Sequence, residues 1–410
     1  MHYSFHTHID PQAMDQFVIT SNQNSLFQCS PWTKIKTSWD SLLTGVTDDM
    51  GTLVATALVL IRKMPLGTTL FYVPRGPVMD YSNSELVEFM LEQLETLARE
   101  HHAIALRFDP SVLSRKYSYK ERSEDHPYQN QQVIDLLKSC GAVHRGFTVR
   151  IEESTQPRFN AEMDVTQDYR EHLEHKTLKC IRASEHKGIE VLQGPEYLHD
   201  FATAMHYTEV RKKVALRNED YFRNMMEVYG DHSICMVSIL NFPRQIERLN
   251  ASIAEHQAKL AGPLSKKEKT QETQSLANDQ KELEKLQEDY KREQQDQVIT
   301  CGILAVYNEG LMELLYMGNN PDYLRMYSSY LLYAKCLDIC AEKGISHCSF
   351  GGVEGTLDDG LTLFKSNWLM NVEEYIGEFN IILNPLMYKA FDELYPKLLK
   401  KAAQLRGKEN

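Results

Sequence analysis

Lys365 stands beside Phe364 in GGVEGTLDDGLTLFKSNW, residues 351–368, after an acidic loop punctuated by glycine and just before Trp368. A cation against bulky apolar side chains loses part of its water, and can then bind a phosphate or stabilise an oxyanion. A surface lysine whose stem snorkels beside a core phenylalanine fits the same residues. Asp109 ends the apolar run of LRFDP. A carboxylate there could accept a proton or orient an amine, or make a turn before Pro110. WTKIKTSW sets Trp32 and Trp39 among Lys34 and Lys36, a composition that suits a sugar or nucleotide-phosphate site and equally a pair of core tryptophans with solvated lysines. LRNEDYF spaces Arg217 and Tyr221 four apart, on one face of a helix, as a clamp for an anionic group. EHKTLKCIRASEHKGIEV brings Lys176, Lys179, Arg182 and Lys187 near one helical face. That face could meet a phosphate backbone at about one charge per contact, or be an ordinary solvated surface.

The elements that must position these residues repeat. TLVATALVLIRK reads as a strand, MPLG as a turn and TTLFYVPRGPVMD as a second strand. A helix follows from Ser84 with Leu86, Met90, Leu94 and Leu97 on one face, and Ser82 with Glu85 has capping-box spacing. The short strand AIALRFDP closes the set. TCGILAVYN, EG, LMELLYMGNNPD, a helix through YLRMYSSYLLYAKCLDICAEKG and the strand SHCSFGG repeat the order. Two copies of one α/β acyltransferase-like unit account for this. Asp109 ends the last strand of one copy, and the loop to Lys365 leaves the last strand of the other. In open α/β sheets, ligands are held at strand ends.

Between the copies, Arg244 to Gln297 has almost no Gly or Pro except Gly262-Pro263. Ile246, Leu249, Ile253, His256 and Leu260 are spaced three and four apart, and Leu276, Leu283, Leu286 and Tyr290 follow further on at seven, three and four. The pattern predicts an antiparallel coiled-coil hairpin, residues 244–297, with a thin seam. It serves as a solvated spacer or as a prop for a large partner.

At 410 residues the chain is long enough for two domains. A net charge of −12 excludes a uniformly basic nucleic-acid surface, though not a local basic groove. No apolar run reaches membrane-spanning length, and the N-terminus has no secretory pattern. The eight cysteines form no CxxC pair and point to a reducing compartment. The fifteen histidines show no ligand spacing, so no metal is expected. The turn that would hold a coenzyme A pyrophosphate, the P-loop and GxSxG are all missing, and no cofactor is expected.

SPWTKIKTSW, FYVPRGPVMDYS, LRFDPSV, TQPRFNAEMDV, LRNEDYF, LLYMG, FGGVEG, LTLFKSNW and EEYIGEFN, in this order, resemble the Fem family of tRNA-dependent peptidoglycan-branching aminoacyltransferases. The likeness spans about residues 25 to 395 and includes the arm; arm-containing members that resemble the chain closely include the MurM/MurN-like ones, with the MurN-like favoured. The resemblance implies an α/β (α+β) fold of two acetyltransferase-like, GNAT-type domains with an inserted coiled-coil arm. The first domain would be 1–150 with the returning tail 376–410, the second 151–375. It implies transfer of an amino acid, L-alanine or L-serine, from aminoacyl-tRNA to the stem-peptide branch of a lipid-linked or nucleotide-linked muramyl-peptide precursor. Lys36, Arg217 and Tyr316 would contact the precursor, with Tyr221 in support. Asp109 would match a residue discussed as a base, and Phe364 with Lys365 the acyl-transfer centre. The GGVEG loop would line the tRNA side. Lys176, Lys179, Arg182, Lys187 and the arm would be local basic tracts for tRNA; no DNA partner is implied. The protein would work in the cytoplasm, its basic tail YPKLLKKAAQLRGK, with Leu398, Leu399 and Leu405, able to graze the inner face of the membrane. Two other functions fit the same residues: a non-catalytic binder of charged tRNA, and an aminoacyl-tRNA transferase acting on protein N-termini.

Overall fold

A computed structural model describes residues 2–212 and 217–394. The basic tail with Leu398, Leu399 and Leu405 lies outside the described residues. The strands run in chain order as β1 (Ser4–His6), β2 (Asp40–Thr47), β3 (Leu53–Lys63), β4 (Thr69–Val73), β5 (Val78–Met79), β6 (Ala103–Phe108), β7 (Leu113–Ser118), β8 (Val143–His144), β9 (Phe159–Asp164), β10 (Ile189–Gln193), β11 (Ser233–Asn241), β12 (Gln297–Tyr307), β13 (Leu311–Asn319), β14 (His347–Val353), β15 (Asn371–Tyr375) and β16 (Phe379–Ile382). They form two sheets, ordered β1-β2-β3-β4-β6-β16-β8, with β5 beside β3, and β10-β11-β12-β13-β14-β9-β15-β7.

Two compact units divide the chain. One comprises the described parts of Met1–His172, Tyr307–Glu313 and Cys340–Asn410; the other is Leu173–Val306 with Leu314–Ile339. The first unit holds the first sheet whole, together with β7, β9, β14, β15 and the first three residues of β13. The second holds β10, β11, β12 up to Val306 and the rest of β13. Sheet membership and compactness thus cut the chain at different places.

The repeat read from the sequence is present in both sheets. β3 and β4 pair antiparallel across a turn at Pro65–Gly67, the helix Ser84–Glu100 follows, and β6 returns parallel to β4. β12 turns tightly into β13, the helix Ser328–Lys343 follows, and β14 returns parallel to β13. A parallel return needs a crossover, and the helix supplies it. The fold is α/β, with the same strand–turn–strand–helix–strand order in each sheet.

The helix Ser84–Glu100 buries Leu86, Val87, Met90, Leu91, Leu94 and Leu97 in the core of the first sheet, with Phe71, Leu106 and Phe108. Its start departs from the expected Ser82–Glu85 box. Asp80 Oδ1 accepts the Ser82 hydroxyl at 2.7 Å, and Asn83 becomes the N-cap, accepting the Leu86 amide at 3.1 Å. A local Asx turn has taken the serine away from the helix end. In the other sheet, buried Glu374 of β15 is held by Arg115 of β7 and by Arg158 just before β9.

The arm consists of the helices Phe242–Ala261 and Lys266–Glu293. Leu249 and Leu286 are buried; Ile246, Ile253, Leu260, Leu276 and Leu283 are half-buried, as the seam pattern requires. His256 makes a polar layer in that seam, its Nδ1 lying 2.5 Å from Glu272, while Ser252 donates to Asp279 at 2.6 Å. Charges of both signs alternate along the shaft, so the arm as a whole is not the basic tract expected. The exposed lysines Lys266, Lys267 and Lys269 gather at its tip. At the base, fully buried Asp289 accepts from Arg292 at 2.9 Å and from Arg325, and Glu293 accepts the Tyr323 hydroxyl at 2.8 Å. No helix among the described residues is long and apolar enough to cross a membrane.

The base and the shaft therefore separate energetically. Replacing residues 250–285 by a short Gly/Ser turn should leave the melting temperature of the remaining protein nearly unchanged. Asp289→Ala should cost about 3–5 kcal/mol, because it strands Arg325 without its buried counter-charge. Chemical denaturation of both variants decides it, and equal losses would mean that the shaft too holds the body together.

Candidate active site

Asp109 lies one residue past β6 and is 3% exposed. Both of its oxygens are met: the Tyr72 hydroxyl donates to Oδ2 at 2.7 Å, and the Arg75 amide to Oδ1 at 2.6 Å. A residue serving only as a turn before Pro110 would need neither donor. Burial pushes the carboxyl up to about 7; the Arg75 charge and amide oppose the shift without cancelling it. Arg75 sits in PRGP with φ 54°, a left-handed conformation uncommon outside glycine. Buried Gln28 holds this loop, donating to Pro74 O at 2.6 Å and accepting the Leu58 amide at 2.9 Å. A Cβ at Gly76 would come within 2.6 Å of Gln28, so only glycine admits that close approach. The Arg75 guanidinium lies 4.2 Å from the centre of the Tyr375 ring and donates to Pro157 O at 2.8 Å. Trp39 packs edge-on to Tyr72 at 6.5 Å, and Lys36 Nζ lies 5.6 Å from the Trp32 ring centre.

Lys365 is the last residue of the short helix Gly360–Lys365, which Asp359 caps through the Leu361 amide at 2.8 Å. At 4% exposure it is not a snorkelling surface lysine. Nor does it hang from a strand end into open space. Its Nζ donates to Gly351 O at 3.1 Å and Gly352 O at 2.8 Å. The β14–β9 register shifts between Ser349 and Gly352, and Gly351 has φ 77°. A bulge of this kind bends a strand and re-aims its backbone groups; here two carbonyls reach one ammonium. Phe364 beside it is half-buried.

Contacts within the first unit link Asp109 to Lys365. Asp109 accepts the Arg75 amide, the Arg75 side chain bonds to Pro157, and Pro157 lies so close to Gly352 that a Cβ there would meet it at 2.4 Å. Gly352 O in turn receives Lys365. The sequence reading missed Tyr72 and Arg75. An arginine enclosed by proline, glycine and proline was the one available signal.

In the second unit, Arg217, Tyr221 and Tyr316 come together. The Arg217 guanidinium is exposed, 4.9 Å from the Tyr221 ring centre, and the Tyr316 hydroxyl donates to that of Tyr221 at 3.2 Å. Burial raises the Tyr221 hydroxyl, as does Tyr316. Arg217 is not on the helix, however. That helix spans Glu219–Tyr229 with Asn218 as its N-cap, and the arginine reaches its tyrosine from the preceding turn. Lys176, Lys179 and Arg182 lie exposed on the helix His175–His186, opposite buried Thr177, Cys180, Ile181 and Ser184. Lys187 departs from that face. It follows the helix end and pairs with Glu282 of the arm at 3.1 Å. Among the described residues no cluster of His, Cys, Asp and Glu could hold a metal ion.

The raised Asp109 carboxyl fixes a sign for stability. Folded Asp109 keeps its proton to about 7, whereas the unfolded side chain releases it near 3.8. Its burial therefore becomes progressively destabilising as pH rises through that window, by roughly 4 kcal/mol at full ionisation. Stability of the native protein relative to Asp109→Asn should fall between pH 4 and pH 8. Denaturation at several pH values checks this, and a gap that stays constant or widens in favour of the native protein would overturn it.

The chain matches the FemAB family model over residues 9–396. Lipid II:glycine glycyltransferases of Staphylococcus aureus strains MRSA252 and NCTC 8325 / PS 47 are each 26% identical to it, over 98% of this chain and 98% of the relative. The crystal structure of FemX superposes with a TM-score of 0.73 at 24% identity, covering 96% of this chain and 100% of that one. At that identity the likeness is one of fold. With nearly its whole length inside the family model, the chain belongs to the FemAB family.

Proposed function

We propose that this protein transfers an amino acid from aminoacyl-tRNA to an amine on the stem-peptide branch of a peptidoglycan precursor, and so builds an interpeptide bridge. Family membership and the glycyltransferase relatives support the class of reaction. The observation that carries it in this chain is a buried lysine fixed on two carbonyls and linked by contacts to a buried aspartate. The relatives are named for glycine; the MurM/MurN-like resemblance favours L-alanine or L-serine here. It also favours, as acceptor, a residue already attached to the stem lysine.

In this mechanism the acceptor amine attacks the ester carbonyl of the donor. A C–N bond forms, the carbonyl oxygen becomes an oxyanion, and collapse breaks the C–O bond to the tRNA ribose. The proton lost by the amine is balanced by the one the leaving ribose hydroxyl takes up. Lys365 stabilises the oxyanion, its direction set in advance by Gly351 and Gly352, so little reorganisation accompanies the charge. Phe364 keeps that centre dry. Asp109 has a proton affinity suited to a base near neutral pH. Yet both of its oxygens are engaged, so it acts first by positioning Tyr72 and the Arg75 loop. Lys36, Arg217, Tyr221 and Tyr316 hold the muramyl-peptide precursor through its anionic groups. Lys176, Lys179, Arg182 and the lysines at the arm tip meet tRNA phosphates, while Lys187 braces the arm. The reaction would take place in the cytoplasm, at the inner face of the membrane when the acceptor is lipid-linked.

Transfer of labelled alanine or serine from charged tRNA to a muramyl-pentapeptide or its one-residue branched form tests the reading. Lys365→Met should cut the transfer rate about 10²–10³-fold, the usual cost of losing one oxyanion donor, and unchanged turnover at saturation would remove Lys365 from that role. Arg217→Ala should raise KM for the precursor and spare that for tRNA. A rise confined to the tRNA constant would put the arginine on the donor side.

A further inference from the structure

The first unit contains a cavity of about 370 Å³ whose walls include Arg75, Lys116, Glu162, Glu313, His347 and Glu373. It has room for a small molecule as well as water, whose share of liquid volume is about 30 Å³. Three of its side chains form one row across the sheet, since Glu313 of β13 is registered with Ser349 of β14, and Ser349 with Glu162 of β9.

Other than Glu313, the charged side chains in the wall are engaged by neighbours. Glu162 accepts the Ser349 hydroxyl at 2.8 Å and lies 3.2 Å from His347 Nε2. Glu373 pairs with Lys116 at 3.0 Å and accepts the Tyr375 hydroxyl at 3.1 Å. Arg75 is engaged with Pro157 and Tyr375. Glu313, 9% exposed, lines the cavity with no hydrogen-bond or ion-pair partner among the described residues. Burial keeps this carboxyl protonated near neutral pH, and a cation brought beside it would favour the ionised form.

We propose that this cavity binds the primary ammonium group of a small ligand, with Glu313 as its counter-charge and Glu162 and Ser349 as further acceptors. An ammonium ion offers three donors, and the row of Glu313, Ser349 and Glu162 presents oxygen acceptors along one face of the sheet. A metal ion is the poorer candidate, because no metal-holding cluster occurs among the described residues. Burial and the neighbouring Glu162 push the Glu313 carboxyl up to about 8, while the nearby Arg75 and His347 act in the opposite sense. Two sources share this chemistry: the α-ammonium of an aminoacyl group and the side-chain ammonium of a lysine-like amine. The inference does not rest on the transfer reaction, since it concerns binding to the free protein.

Calorimetric titration of the whole protein with L-alaninamide, N-acetyllysine methylamide and lactamide tests it. Lactamide replaces the ammonium of alaninamide by a hydroxyl at nearly equal size. One or both amines should bind saturably, and the tighter one identifies the source; lactamide should bind at least tenfold more weakly. Glu313→Gln, nearly isosteric and freed of a buried charge, should stay folded and lose at least tenfold in affinity for the amine. Binding of lactamide equal to alaninamide, equal affinity in Glu313→Gln, or no saturable binding of either amine would each overturn the proposal.

Discussion

Burying a carboxylate obliges the surrounding chain to bring donors to it, and in the first unit that obligation falls on Arg75. Its amide reaches Asp109 only because the residue adopts φ 54°, and the loop keeps that conformation because Gln28 ties its backbone. Once the main chain is committed, the guanidinium is carried to Tyr375 and Pro157. One residue therefore couples the end of β6 to the approach of β9, and through Pro157 to the β14 bulge that holds Lys365. Strain in the backbone at Arg75 is supported by contacts on several elements, the usual condition for a sparsely populated conformation to persist.

The two halves of the duplicated pattern were legible because strands, turns and helices follow local rules. The strands around Ala57 and Leu304 are continuous apolar runs, and the helix from Ser84 shows a 3.6-residue period. The arm was legible from seam spacing alone. The site was legible in part. Lys365 and Asp109 stood out by type and neighbours, but their partners did not. Backbone carbonyls of Gly351 and Gly352 have no sequence signature as lysine acceptors. Tyr72 looked like any strand tyrosine. Glu313 sits within an apolar strand pattern, and only the register with Ser349 and Glu162 shows what it faces. Arg217 and Tyr221 meet as expected, but through a helix start and not along a helix face, because Asn218 is the better cap.

Two ways of holding a lysine are visible in the same chain. Lys365 is buried with its charge spread over two carbonyl dipoles, whereas Lys187 is half-exposed and spends its charge on Glu282. A cation neutralised by a carboxylate has little field left for a third party. The two carbonyls fix where the Lys365 ammonium sits, and the Lys187–Glu282 pair fixes the lower shaft of the arm.

The arm leaves the body from the end of a paired hairpin. Asn241 and Gln297 face each other in the β11–β12 register, and the Phe242 amide donates to Asp296 O at 2.8 Å. The two ends of the insertion are therefore already side by side before the arm begins. Its length is then a free variable. Whole helical turns can be added to or removed from both strands of the coiled coil without shifting one residue of the sheet beneath, so long as the Asp289 and Glu293 anchorage is kept. The body fixes where the arm starts, and reach can be altered by evolution or design as an independent module.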